Sequence, residues 1–142
     1  MKKIFLDTNI LVDLIADRMP FSKYAIELFN NAEQKKIKLF TSSHSIAATH
    51  YLVKKYLDEK NLREVLFSLL DYLTVIPVDT DILKKGLRSK YKDFEDAVQI
   101  VCASSVEKID CIVTRNIRDF RGSEIPVLTP DELCLRSEFR HT

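Results

Sequence analysis

Short apolar runs alternate along the chain with longer segments in which apolar residues recur every three or four positions. The short runs are rich in Ile, Val, Leu and Phe, which predicts buried strands, and the periodic segments predict amphipathic helices. Because helices separate strands that are apolar on both faces, the pattern predicts an α/β fold with a parallel sheet covered on both sides. The predicted strands are residues 3–6, 37–41, 73–78, 110–114 and 126–128.

Polar residues that cap helices mark where the predicted helices begin. Asp7 and the two residues after it supply capping chemistry, and apolar residues then recur at helical spacing from Ile10. Pro20 suits the first turn of a second helix that runs towards Glu33. Further helices are predicted from the hydroxyls at 42–45 to residue 58, from a cap at Asn61 onward, over 79–87, and from Asp93 with a buried stripe of Ala97, Ile100, Val101 and Ser104.

Length and charge limit the classes of protein that this chain can belong to. Its 142 residues, 46% of them hydrophobic, suffice for one sizeable core, and we predict a single domain over 1–142. Lys and Arg number 22 against 21 Asp and Glu, so nucleic-acid binding would need a local basic patch. The two glycines, Gly86 and Gly122, cannot form a dinucleotide fingerprint or a P-loop, which excludes nucleotide-cofactor enzymes.

The cysteines and the N-terminus indicate a reducing compartment. The three cysteines include no close pair, so they predict neither a disulfide framework nor a zinc site. The apolar run after Lys3 ends at Asp7, which is too early for a signal peptide. No stretch reaches the roughly 20 apolar residues of a membrane-spanning helix. We therefore expect a soluble, cytoplasmic protein without a membrane partner.

Acidic and amide side chains cluster where predicted strands end and helices begin. In an open parallel sheet, ligands bind outside the carboxyl ends of the strands. Convergent carboxylates repel one another unless a cation neutralises them, and oxygen ligands with open positions suit Mg²⁺ or Mn²⁺. The side chains are Asp7 after the first strand, Asn116 and Asp119 after the fourth, and Asp93, Glu95 and Asp96 at a helix start.

Each of these residues also has a purely structural interpretation. Asp7 can cap the helix that follows it, while Asp93 and Glu95 can complement the positive end of a helix dipole. Asn116 and Asp119 are residue types that are common in turns. Asp96 differs because it lies one helical turn before Ile100, beside the buried stripe, where it faces the sheet. The coincidence of three acidic segments favours a joint site.

Four segments of the chain together resemble the PIN-domain family: MKKIFLDTNILVDL, KDFEDAVQIVCA, IVTRNIRDF and IPVLTPDEL. The resemblance covers essentially the whole chain and is closest to small bacterial and archaeal members, many of which are toxins of toxin–antitoxin pairs. It implies a three-layer α/β/α sandwich with a central parallel sheet. It also implies a metal-dependent ribonuclease whose acids surround one or two Mg²⁺ or Mn²⁺ ions.

The family's acids, carried over residue by residue, fall on Asp7, Asp96 and Asp119, which the resemblance gives catalytic and metal-binding roles. The family's usual glutamate should lie near Ala48, yet no acid occurs over residues 42–55. Either a neighbouring acid substitutes for it, or the site has fewer carboxylates and weaker metal affinity. The supporting residues are Asp93 and Glu95, as candidates for that substitution, with Asn9, Thr114 and Asn116.

The working hypothesis is hydrolysis of an RNA phosphodiester by a metal-activated water, with Glu95 as the candidate base. Basic residues near the site are candidates for holding neighbouring phosphates. They are Lys92, Arg115, Arg118 and Arg121, of which Arg115 and Arg118 are the predicted RNA-binding pair.

Alternative functions and partners remain open from the sequence alone. A PIN-type fold that binds RNA or protein without cutting is credible because no acid lies near Ala48. A phosphatase with Asp7 as nucleophile is disfavoured because Asn9 stands where the haloacid-dehalogenase-like pattern has a second aspartate. The apolar stretch over 51–57 suits a homodimer or antitoxin contact, although intramolecular core is the default interpretation.

Overall fold

The structure, a computed structural model, describes residues 1–136 of the chain. The predicted single domain over 1–142 stays a prediction, since residues 137–142 lie outside the described range. No helix within that range is long and apolar enough to cross a bilayer. The strands are β1 (Lys2–Leu6), β2 (Ile37–Ser42), β3 (Leu73–Ile76), β4 (Cys111–Val113) and β5 (Val127–Leu128). The helices are α1 (Thr8–Ile15), α2 (Ser22–Glu33), α3 (Ser43–Val53), α4 (Glu59–Leu69), α5 (Thr80–Leu87), α6 (Phe94–Ser104) and α7 (Pro130–Cys134).

The five strands form one sheet in the order β3-β2-β1-β4-β5, and all neighbouring pairs are parallel. Side chains alternate between the faces of a strand. Ile4 and Leu6 of the central strand therefore pack into one core with α1, α2 and α4, whereas Phe5 packs into a second core with α5 and α6. The predicted α/β fold with three layers and a parallel sheet is confirmed.

Several predicted element limits are wrong. Helix α3 ends at Val53 rather than at residue 58. Asp58 instead caps α4 by accepting a hydrogen bond from the Asn61 backbone N–H at 2.9 Å, so Asn61 lies inside that helix. Pro20 lies in the turn before α2 rather than in its first turn. Ser104 is exposed, not buried, and its hydroxyl bonds to the backbone at the end of α6.

The apolar stretch over 51–57 is mostly surface. Tyr51 is 67% exposed, Leu52 44% and Tyr56 59%. Leu57 alone of the four apolar side chains named at 51, 52, 56 and 57 packs against the core. The default interpretation as intramolecular core is therefore wrong for the other three, because Tyr51 and Leu52 lie on the exposed side of α3 and Tyr56 lies in the exposed turn after it.

Helix α7 is not predicted by the hydrophobic pattern, because five residues are too few to show a helical period. Its start carries a capping box, in which Thr129 accepts from the Glu132 backbone and Glu132 reaches back to the Thr129 backbone. Pro130 occupies the first helical position. These residues supply the local signal that periodicity lacks.

Candidate active site

Asp7 lies at the carboxyl end of the central strand β1 and at the start of α1. Its backbone N–H donates to the Val113 carbonyl of β4 at 3.0 Å, which joins the ends of two neighbouring strands. Its carboxylate accepts from the Thr8 backbone N–H at 2.8 Å, so Asp7 does cap the helix. The residue is 9% exposed. Its carboxylate is therefore fixed at the inner end of this edge of the sheet.

Thr114, directly after β4, holds the following loop against Asp7. Its hydroxyl donates to Asp7 Oδ2 at 2.8 Å and accepts from the Asn116 backbone N–H at 3.1 Å. Asn9 Nδ2 donates to Thr114 Oγ1 at 3.2 Å and to Asp7 Oδ2 at 3.4 Å. Asn9 Oδ1 accepts from the Arg115 backbone N–H at 3.3 Å. The loop after β4 is thus docked on the first turn of α1.

An open cleft of about 400 Å³ at this edge brings the predicted polar residues together. Asp93 caps α6 by accepting from the Asp96 backbone N–H at 3.0 Å, which confirms its predicted capping position. Asp119 lies in a 3₁₀ turn at Ile117–Phe120. All three acidic segments of the sequence therefore face one space. The cleft is lined by Asp7, Asn9, Asp93, Glu95, Asp96, Asn116 and Asp119, together with Thr8, Val12, Arg18 and Leu52.

Negative charge in the cleft is poorly balanced by the protein itself. The pKa of the Asp96 carboxyl is raised from its usual 3.8 to about 7, first by burial and then by neighbouring acids. Of the described residues that line the cleft, Arg18 alone is basic. A cleft of this kind attracts cations. The acids that raise the Asp96 pKa are, in order of effect, Asp93, Asp7, Asp119 and Glu95.

The oxygen donors in the cleft fit a hard divalent cation. Carboxylate and amide oxygens suit Mg²⁺ or Mn²⁺ better than zinc, which favours His and Cys. Within residues 1–136, no three acidic, His or Cys side chains stand close enough together to form a complete metal cage. Mg²⁺ nevertheless keeps several waters and needs just one or two protein carboxylates. Asp7, Asp96 and Asp119 therefore remain suitable candidate ligands.

A sequence profile described as the PIN domain matches residues 3–118. The chain belongs to the PIN-domain family. Its predicted resemblance to that family is thereby confirmed. One similar protein, named ribonuclease VapC1, from Aquifex aeolicus (strain VF5), is 29% identical over 141 residues, with 95% of each protein covered.

Solved structures share the fold of this PIN domain. A structure of FitAB bound to a DNA fragment has a TM-score of 0.66 at 17% identity, covering 89% of this chain and 94% of the other. VapBC2 from Rickettsia felis, bound to promoter DNA, has a TM-score of 0.66 at 22% identity, covering 89% and 98%. A toxin–antitoxin complex from Klebsiella pneumoniae has a TM-score of 0.62 at 27% identity, covering 89% and 97%.

Helix α3 of the PIN domain borders the cleft without contributing a carboxylate. Leu52 lines the cleft, and Ala48, where the family's glutamate is expected, is half-buried. His44 at the start of α3 lies with its Nε2 3.5 Å from Glu95 Oε1. The departure from the family pattern therefore leaves the acids of the cleft on β1, α6 and the loop after β4.

A buried hydroxyl and amide network behind Asp7 is absent from the sequence predictions. Gln99 of α6 donates from Nε2 to Asp7 Oδ1 at 3.1 Å and to Ser45 Oγ of α3 at 2.7 Å. Ser42 Oγ donates to Gln99 Oε1 at 2.6 Å. The sequence signal for this network was a glutamine inside the otherwise apolar stretch of α6.

Arg115, one of the predicted RNA-binding pair, forms an ion pair inside the protein. Its Nε lies 2.6 Å from Asp13 Oδ2 and its Nη2 lies 3.1 Å from Asp13 Oδ1. The guanidinium also stacks over the Phe21 ring at 4.2 Å. Asp13 is fully buried, and a buried carboxylate requires such a partner. Arg115 thus anchors the loop after β4 to α1, and its role in RNA binding stays a prediction.

A second, basic cleft of about 430 Å³ adjoins the acidic one. The two clefts share Asp93, Asp96 and Asp119. Three of the predicted phosphate-binding residues, Lys92, Arg118 and Arg121, therefore lie beside the carboxylates, whereas Arg115 does not line this cleft. The chain as a whole carries a net charge of only +1. The remaining lining residues are Lys90, Tyr91, Lys92, Arg118, Arg121 and Gly122.

Proposed function

We propose that this PIN domain is a ribonuclease that cleaves RNA phosphodiester bonds with Mg²⁺ or Mn²⁺, and that it is the cytoplasmic toxin of a toxin–antitoxin pair. The observation that carries the proposal is the convergence of Asp7, Asp96 and Asp119 on one open cleft. The similar protein named ribonuclease VapC1 supports the activity. The similar toxin–antitoxin complex from Klebsiella pneumoniae supports the pairing.

The roles of the residues in the cleft follow from their contacts. Asp7 accepts hydrogen bonds on both carboxylate oxygens and is a fixed ligand. Asp96, with its raised pKa, becomes fully ionised near neutral pH when a cation lies beside it. A divalent cation here would stabilise charge on the phosphate and activate a water for attack. Glu95, which faces His44, is the candidate acceptor for the proton of that water.

Cleavage of RNA in the presence of Mn²⁺, and its loss in an Asp7→Asn variant, test the proposed activity. Asparagine keeps the size of the side chain but removes the charge that a cation requires. We expect the cleavage rate to fall by on the order of 100-fold or more. Asp81→Asn is the matched control, because Asp81 is an exposed acid on α5 that pairs with Lys85 at 3.0 Å and lines neither cleft.

Three outcomes distinguish this activity from its rivals. Cleavage by wild type and Asp81→Asn, stopped by a chelator and by Asp7→Asn, supports the nuclease. RNA left intact by all three proteins while binding persists contradicts it, and supports the binding module suggested by the missing acid near Ala48. Equal cleavage by all three proteins also contradicts it, because the activity then comes from a contaminant.

Arg118 and Lys92 are proposed to hold RNA phosphates beside the cleavage site. Each contact with a phosphate releases counterions, so binding weakens with salt. In an Asp7→Asn background, which avoids cleavage, we expect Arg118→Ala to weaken RNA binding and to reduce the slope of log affinity against log salt by about 1. Lys60→Ala, on the exposed face of α4, should change neither quantity. Equal effects of the two substitutions would contradict the proposed path.

The exposed apolar side chains of α3 and its following turn are proposed to contact an antitoxin. Tyr51, Leu52 and Tyr56 are all more than 40% exposed, and aromatic residues of this kind are enriched at protein interfaces. A second copy of the chain is the alternative occupant. Sedimentation of the chain alone separates the two: a monomer fits an antitoxin contact, whereas a dimer that Tyr51→Asp dissociates fits the alternative.

A further inference from the structure

Gln99 is a polar side chain placed in the interior of the protein. It lies in α6, is 1% exposed, and is flanked by the buried residues Val98 and Ile100. A buried amide must satisfy its donors and acceptor with protein partners, because a buried polar group without a hydrogen bond destabilises the fold. The position therefore needs a specific reason for a glutamine rather than an apolar residue.

The partners of Gln99 fix the direction of its amide. Its Nε2 donates to Asp7 Oδ1 at 3.1 Å and to Ser45 Oγ at 2.7 Å, while its Oε1 accepts from Ser42 Oγ at 2.6 Å. The opposite orientation would place the amide oxygen against the Asp7 carboxylate, where two acceptors would repel. Ser42, itself fully buried, therefore directs the amide N–H groups of Gln99 towards Asp7 and Ser45.

The contact between Gln99 and Asp7 differs from the other contacts of that carboxylate. Thr8 and Asn9 donate from the helix that Asp7 caps, and Thr114 donates from the loop directly after the adjacent strand β4. Of these four donors, Gln99 alone belongs to α6, the helix that carries Asp96. Residues three apart lie on the same side of a helix. The hydrogen bond therefore joins the side of α6 that carries Asp96 directly to Asp7.

Helix α3 joins the same network through Ser45. Ser45 of α3 contacts Gln99, and its hydroxyl lies 2.9 Å from the Thr8 hydroxyl. The groups that connect α3 and α6 to Asp7 are thus neutral: Gln99 bonds to Asp7 directly, and Ser45 bonds to Gln99. A neutral amide adds hydrogen bonds to the carboxylate without adding to the charge repulsion in the cleft.

We propose that Gln99 is a positioning residue for RNA cleavage, which holds the Asp7 carboxylate and sets its separation from Asp96. This inference rests on the proposed nuclease activity. Gln99 does not line the acidic cleft, so it acts through Asp7 rather than on RNA. Hydrogen-bonding partners of metal ligands typically contribute 10-fold to 100-fold to metal affinity or activity. If Gln99 had a merely structural role, its substitution would change the stability of the protein but neither its metal affinity nor its activity.

Gln99→Met tests the proposal, because methionine keeps the length of the side chain and removes both hydrogen-bonding groups. Mn²⁺ binding to the RNA-free protein is measured by calorimetry, and kcat and KM are measured with RNA. We expect Mn²⁺ affinity and kcat each to fall by roughly 10-fold to 100-fold, with little change in KM. Ser42→Ala should act in the same direction but less, since Gln99 keeps its donors. Ile100→Val, a conservative change at the next buried position of α6, should leave both values unchanged.

The outcomes separate this proposal from the activity on which it rests. If wild type neither binds Mn²⁺ nor cleaves RNA, the proposed function itself fails. If wild type does both and folded Gln99→Met matches it in Mn²⁺ affinity and kcat, the positioning role is wrong. Equal losses in Gln99→Met and Ile100→Val would also overturn it, by showing a general effect of packing. Should Gln99→Met fail to fold, Ser42→Ala decides by the same two measurements.

Discussion

Asp96→Asn should make the metal-free protein more stable at pH 8 while abolishing its metal-dependent cleavage. The pKa of Asp96 is raised from 3.8 to about 7 by burial and by its acidic neighbours. The native protein therefore binds the proton of the Asp96 carboxyl more tightly than the unfolded chain does. The contribution of the Asp96 carboxyl to the free energy of unfolding is most favourable below about pH 4, declines as the pH rises, and is fully lost above about pH 7. Asparagine remains neutral at every pH and therefore avoids the cost of a buried negative charge among other acids.

Thermal unfolding of the two metal-free proteins across pH provides the measurement. The difference in melting temperature should be small at pH 4, should grow in favour of Asp96→Asn, and should level off above about pH 7. Added Mn²⁺ should raise the melting temperature of wild type and leave the variant unchanged. We expect the variant to lose on the order of 100-fold or more in cleavage rate. A variant that is less stable at pH 8 would contradict the account of the cleft as an unbalanced acidic cluster.

Arg115→Ala should destabilise the protein by about 3–5 kcal/mol, the range seen when one partner of a buried ion pair is removed. Asp13 is fully buried and takes two hydrogen bonds from the guanidinium, so its charge would be left without a partner. The loop that carries Asp119 would also lose its anchor on α1. Denaturant unfolding gives the stability change, and RNA cleavage by the folded fraction reports on the loop.

Two further variants identify the cause of that loss. In the double variant Asp13→Asn with Arg115→Ala, no unpaired buried charge remains, so stability should recover part of the way to wild type. Lys85→Ala breaks the exposed pair with Asp81 and should cost less than about 1 kcal/mol. If Arg115→Ala costs no more than Lys85→Ala, the pair with Asp13 is not a structural anchor.

The fold was predictable because its strands are buried on both faces. The central run of Ile4, Phe5 and Leu6 is fully buried, so the sequence there is apolar without interruption. Element ends were predicted less well where two polar residues compete to cap a helix. Asp58 and Asn61 are both suitable cap residues, and it is Asp58 whose side chain accepts from the backbone. Propensity alone does not decide between them.

The candidate site was predictable as far as a general rule of sheets reaches. Asp7 and Asp119 both follow strands of one parallel sheet, and such strands end at the same edge. The contacts that hold these residues were not predictable. Gln99 and Ser42 are 57 residues apart, and Arg115 and Asp13 are 102 apart. Pairings across such separations depend on the folded packing and have no local signal.

The acids of the cleft differ in how firmly the fold holds them, and this has a consequence for inactivation. Asp7 lies at the end of the central strand, whose backbone bonds to strands on both sides. Asp119 lies in an exposed turn whose loop depends on Thr114 and on the pair between Arg115 and Asp13. Local opening of such a turn requires less free energy than opening of the central strand. On heating, the protein should therefore lose cleavage before the sheet unfolds, and amide exchange at residues 115–119 should report the inactive population.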